Sequence, residues 1–161
     1  MKSRNFESII SRMKPLFTVG IFAVLLSSLG CKSRTVYTPS TFPDSLITYG
    51  SYGGFTGAKT TYFILPNGQV FISESTAIDT ISYGRISASK AKKLDKRMRK
   101  ANFAGIKMNS PGNMSYFITQ TSAETEHKVV WGANGPTPPK ELTEIHDLIT
   151  TLITNSNETS E

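Results

Sequence analysis

The sequence predicts an α+β domain: a small, mostly antiparallel sheet of about five strands with two helices packed on one face. Three observations lead there. Short runs of β-branched and aromatic residues are separated by Gly, Pro and Asn. A lysine-rich segment in the middle of the chain spaces its apolar residues three or four apart. A later segment does the same over a broader apolar face.

The elements follow in order. Leu46-Ile-Thr-Tyr49 reads as a first strand ending at Gly50. Thr60 to Leu65 (TTYFIL) and Gln69 to Ser73 (QVFIS) flank Pro66-Asn67-Gly68. Proline suits the second position of a type I turn, and glycine suits the left-handed position that closes a bulged hairpin. Thr80 to Ile86 adds a strand, and Asn113 to Thr121 pairs with His127 to Trp131 across Ser122–Glu126. From Ser87, which can cap a helix as can Ser89, the stripe Ala91, Leu94, Met98, Ala101 marks one helix. In the second helix Thr137 can cap, Pro138 suits the first position, and Leu142, Ile145, Leu148, Ile149, Leu152 and Ile153 form the buried face.

The chain begins with a targeting segment. Half of the formal net charge of +6 lies within Met1–Lys14, where Lys2, Arg4, Arg12 and Lys14 are opposed by Glu7 alone. An apolar run, Leu16 to Leu29, follows. It is shorter than the ~20 residues of a comfortable span and suits a secretory h-region. The run ends in Ser28-Leu29-Gly30-Cys31, and Cys31 is the only cysteine. A lone cysteine in an exported protein has no internal disulfide partner. Its position after a small residue resembles the lipobox of bacterial lipoproteins, although Ser28 stands where the commonest pattern has Leu. That resemblance implies that residues 1–30 are removed and that Cys31, acylated with palmitate-type chains, becomes the mature N-terminus. More than one acyl chain, at ~0.8 kcal/mol per buried methylene, holds stably. The other reading is an ordinary signal peptide or short membrane anchor with an incidental cysteine.

Residues 31–45, rich in Ser, Thr and Pro, read as a flexible, solvated tether with little to bury. The folded domain is expected over residues 46–154, about 110 residues and enough for one modest core. Residues 155–161, NSNETSE, read as a disordered tail.

Motifs for chemistry are missing. Gly50, Gly53, Gly54 and Gly57 do not have the G-x-G-x-x-G spacing, and no G-K-[ST] follows, so the phosphate-cradle mechanics are lacking and no nucleotide cofactor is expected. His127 and His146 are the only histidines. A hydrolytic zinc wants at least three protein ligands, so His127, beside Glu124 and Glu126, reads as a solvated strand residue. His146, beside Asp147, reads as packing at the core edge. No G-x-S-x-G elbow occurs. The expectation is a domain without catalytic, metal or cofactor residues; a hydrolase with an unrecognised site is the weakest alternative.

Two surface features remain. Gly53, Gly54, Phe55, Thr56 and Gly57 form a candidate interaction loop, with the glycines bending the chain between strands and Phe55 expected to pin the bend as a buried aromatic. Lys92, Lys93, Lys96, Arg97, Arg99 and Lys100 form a candidate basic surface, opposed in sequence by Asp95 alone. It reads as a solvated helix face that could also attract anionic lipid headgroups. Nucleic acid is disfavoured because no aromatics interleave the charges.

GGFTG before a strand, Ala101-Asn102-Phe103-Ala-Gly-Ile at a helix end, the Tyr116-Phe-Ile-Thr and His127-Lys-Val-Val strands, and Pro138-Pro139 before the last helix together resemble the emfourin-type inhibitors of thermolysin-family metalloproteases. The similarity covers most of Leu46 to Ile153. Asn102 and Ala104 stand where that family often has Asp and Phe. The pattern is also similar to small bacterial lipoproteins of unknown function. The resemblance implies a compact α+β domain and, as an alternative function, inhibition of a metalloprotease. The leading expectation is a lipid-anchored, non-catalytic binding domain of the cell envelope. Its partners would be the membrane, through Cys31, and an envelope protein or protease. Lys32 is unlike the Asp that commonly retains such proteins at the inner membrane, which favours the outer one.

Overall fold

In the computed structural model, which describes residues 35–157, the alternating runs become strands β1 (Leu46–Gly53), β2 (Ala58–Ile64), β3 (Gln69–Glu74), β4 (Ile81–Arg85), β5 (Asn109–Ser110), β6 (Met114–Thr121) and β7 (Glu126–Gly132). They form one sheet in the order β4-β3-β2-β1-β6-β7-β5. Every described pairing is antiparallel except β5 with β7, which is parallel. The sheet thus has seven strands rather than about five. The strand that sequence reading passed over, β5, is two residues long and lies outside any alternating run.

Directly opposed residues share a face of a sheet, so the register shows where the core lies. Ile72, Tyr62, Tyr49, Ile118 and Val129 line up across β3, β2, β1, β6 and β7. Beside them runs Val70, Ile64 and Ile47. Helix α1 (Ala88–Lys100) brings Ala91, Leu94 and Met98 to this face, and α2 (Lys140–Asn157) brings Leu142, Ile145, Ile149, Leu152 and Ile153. At roughly 1.5–3 kcal/mol for each large side chain removed from water, this layer dominates the fold's stability. The two helices on one face are as the sequence implied.

Their caps differ from each other. Ser87 caps α1 as expected, its hydroxyl accepting from the Lys90 amide at 3.3 Å. Asn102, with φ of 49°, ends that helix in a left-handed turn that asparagine tolerates. In α2 the first helical residue is Lys140 rather than Pro138, and the carbonyl of Pro139 accepts from the amides of Leu142 and Thr143. The helix runs further than the apolar stripe suggested. Asn155–Asn157 belong to it, and Ser156 is buried with its hydroxyl donating to the Ile153 carbonyl. Asn155–Asn157 are thus helical where a tail was expected, and residues 158–161 lie outside the described residues.

The opposite face is sealed by two devices that the sequence did not announce. Phe117 lies across Gly50, where an added Cβ would meet the Phe117 ring at 2.8 Å and the Thr60 carbonyl oxygen at 2.1 Å. The ammonium groups of Lys59 and Lys128 sit 5.5 and 5.0 Å from that ring, their stems covering it while the charges reach water. Further along, Phe42 packs on Phe63 and Phe71 with centroids 5.3 and 5.0 Å apart. The Tyr37 amide donates to Gln69 Oε1, Gln69 Nε2 donates to the Tyr37 carbonyl, and Asn67 Nδ2 donates to the Thr35 carbonyl.

Residues 31–34 of the expected tether lie outside the described residues. Residues 35–45, although mostly exposed, are docked through Tyr37 and Phe42 rather than hanging free. They strap the outer face, because Phe63 and Phe71 would otherwise be left in water. Among the described residues the core draws on Ile47 to Ile153, and the strap covers the sheet's other face. Replacing Phe42 by Ala is expected to lower stability in urea unfolding by about 1–3 kcal/mol. A change within about 0.5 kcal/mol, the range of a free surface position, would show that the strap is not part of the fold.

Candidate functional site

The interaction loop is the β1–β2 connection. Gly53, Gly54 and Gly57 have φ of 111°, 70° and 64°, values that side chains with a Cβ rarely adopt. The tip is also tacked to its neighbour: the Gly54 amide donates to the Asn113 carbonyl at 2.7 Å, and a Cβ on Gly53 would sit 2.2 Å from that same oxygen. Thr56 Oγ1 accepts from the Ala58 amide. The bend was read correctly, but the role of Phe55 was not. Phe55 is fully exposed, at 107 %. The tip lies at the end of the sheet where β1 ends, and neither α1 nor α2 buries the ring.

Phe55 has company that sequence reading missed. The β3–β4 loop returns to the same end of the sheet and leaves Ile78 fully exposed at 101 %. Its base is pinned by the Ser75 amide donating to the Lys59 carbonyl and the Lys59 amide donating to Ser75 Oγ. Ile81 and Met114, at the adjacent strand starts, are also exposed. Four apolar side chains thus mark one pole. In sequence, the available signal was Ile78 alone in the polar loop STAIDT, and nothing local ties it to Phe55.

The basic surface is elsewhere and is partly neutralised. Arg97 pairs with Glu144 of α2, and Arg99 pairs with Asp95. Lys92, Lys93, Lys96 and Lys100 are exposed and belong to none of the ion pairs among the described residues. Lys92 and Arg99 lie beside Ser45 and Leu46, at the end of β1 remote from Phe55. The fold does not unite the two predicted surfaces.

The histidines are engaged within the fold. His127 is half-buried rather than solvated: its Nε2 lies 3.1 Å from the Ile106 carbonyl oxygen and its ring meets Phe103 edge-on at 5.3 Å. His146 sits at the core edge among Tyr49, Tyr116 and Trp131, with centroids 5.5–5.6 Å away. Its Nε2 is 3.0 Å from the Tyr49 hydroxyl and its Nδ1 is 3.5 Å from Asp147 Oδ1. A buried phenol needs such a partner, and the imidazole supplies it. No cluster of three or more His, Cys, Asp or Glu among the described residues could hold a metal. Cys31 lies outside the described residues; among these no helix is long and apolar enough to cross a membrane.

No protein-family model matches the chain, and no curated protein matches it.

Burial, reinforced by the charges that Tyr116 and Tyr62 would carry when ionised, pushes the Tyr49 phenol up to about 12. Tyr62 is raised by burial first and then by Tyr83. In the unfolded chain a tyrosine ionises near ~10. Between these values the native state keeps a proton that the unfolded state has lost, so stability falls as pH rises. Urea midpoints measured from about pH 9 to 11 should decline, and less steeply in Tyr49→Phe. Identical slopes in the two proteins would show that Tyr49 is not held in its neutral form.

Proposed function

We propose that this chain is a lipid-anchored, non-catalytic binding domain of the bacterial cell envelope. Acyl chains on Cys31 hold it at the membrane, by preference the outer one, and the loop pole engages a protein partner. The observation that carries this reading is Phe55, fully exposed on a tip whose backbone is already fixed by three left-handed glycines and a bond to Asn113. An exposed aromatic on a pre-ordered loop loses little entropy when it is buried by a partner, and aromatic anchors of this kind dominate interface energetics.

Chain geometry supports a partner away from the bilayer. Thr35 is held by Asn67, in the β2–β3 turn, at the end of the sheet where β1 starts. Phe55 stands at the other end, roughly 25 Å away along the eight residues of β1. A domain tethered through Cys31, four residues before Thr35, therefore presents its apolar pole outward. The engagement of both histidines within the fold supports the non-catalytic part of the reading.

Inhibition of a thermolysin-family protease is the second reading. It is favoured by the projection, rather than burial, of the aromatic in the GGFTG stretch that carries the resemblance.

Two measurements separate these readings. A photo-crosslinking residue at position 55 should trap one discrete protein in membranes from which the chain is recovered with Cys31 acylated, and the same residue at position 124, near the opposite pole, should not. Equal trapping at both positions, or an intact N-terminus with a free Cys31 thiol, sinks the first reading. Residues 35–161 titrated into thermolysin should slow peptide cleavage if the second is right, with Phe55→Ala weakening inhibition about tenfold or more. Unchanged cleavage at micromolar domain removes it.

A further inference from the structure

The α1 stripe fills the space above the sheet unevenly. Leu94 and Met98 are fully buried against it, but the stripe begins at Ala91, and Ala104 follows the helix. These are methyl side chains where their neighbours have four-atom ones. Both alanines line a groove of about 530 Å³ that runs along α1, from Ala91 to Arg99, against the end of the sheet where β1 begins. Its volume falls in the ~300–1,000 Å³ range of small-ligand sites. The floor is Ile47, Ile64, Leu65 and Ala91, without a polar side chain.

The polar groups around the mouth are unequal in what they can offer. Asp95 is already shared between Arg99 and Gln120 Nε2, and His127 Nε2 is engaged with the Ile106 carbonyl. Lys92, on the rim, is exposed and has no ion-pair partner among the described residues. Hydroxyls of Ser45, Thr121, Ser122 and Thr125 complete the wall. An apolar trough with a free ammonium at its lip and its one carboxylate already paired suits a chain that is apolar along its length and anionic at one end.

We infer that this groove binds a single-chain anionic amphiphile, such as a fatty acid or lysophospholipid, with the acyl chain over Ile47, Ile64 and Ala91 and the head at Lys92. The mouth lies where such a ligand would be met. Pro66 is part of its wall, and the adjacent Asn67 holds the Thr35 carbonyl, so Cys31 is at most about 14 Å of extended chain from Thr35. In the tethered reading this pole faces the bilayer, while the protein-binding loops face away. The chemistry of the groove does not depend on that reading.

The test uses residues 35–161, a compact unit that contains the core cluster and the strap and lacks Cys31, so the result is independent of acylation. Titration with the fluorescent fatty acid cis-parinarate should give saturable one-to-one binding that palmitate displaces and a cationic surfactant of equal chain length does not. Lys92→Glu, at an exposed position, should weaken binding about tenfold. Ala104→Trp, on the exposed rim, should weaken it by obstruction. Ala91→Leu should abolish it, with far-ultraviolet circular dichroism confirming that each variant is folded. Non-saturable binding, equal displacement by the cationic surfactant, or wild-type affinity in folded Lys92→Glu and Ala104→Trp overturns the proposal.

Discussion

The structure depends on the burial of one transverse row, Ile72–Tyr62–Tyr49–Ile118–Val129, beneath the two helices. Five strands are held in register by that row, because slipping any of them by one residue would turn its apolar set to the wrong face. The row has a polar member at its centre. The Tyr49 hydroxyl is taken from water and returned a partner by His146, so the histidine that invites a catalytic interpretation works as the hydrogen-bond partner that makes this burial tolerable.

A sheet with helices on one side has a second face to protect, and here the means are unusual in being largely non-helical. Glycine at position 50 lets the Phe117 ring lie against the backbone, and two lysine stems cover the ring. The strap through Tyr37 and Phe42 covers the remainder. Its consequence is positional. Thr35 is held at the pole where β1 begins, through Asn67. The groove beside α1 lies at that pole and the exposed apolar loops at the other.

Much of this was legible locally. The six longer strands, the Pro66-Asn67-Gly68 hairpin, the Ser87 cap and both helical stripes rest on contacts within a few residues, which periodicity and turn chemistry encode directly. The bend at Gly53–Gly57 was legible for the same reason. Phe55 was misjudged because burial is set by what stands opposite, and neither α1 nor α2 covers that ring. The tether was misjudged because Ser, Thr and Pro dominate its composition, while Tyr37 and Phe42 act through partners about thirty residues ahead, Gln69 and Phe71.

Sequence alone determined the class, the number and stripes of the helices, the glycine-dependent bend and the absence of familiar catalytic motifs, since all of these are written in residues close together in the chain. Tertiary structure decided the strand order and the parallel β5, the sealing of the outer face and the gathering of Phe55, Ile78 and Met114 at one pole. It also opened a groove along α1 that Ala91 and Ala104 line. Those outcomes depend on which distant surfaces meet, and spacing along the chain carries no record of a neighbour fifty residues away.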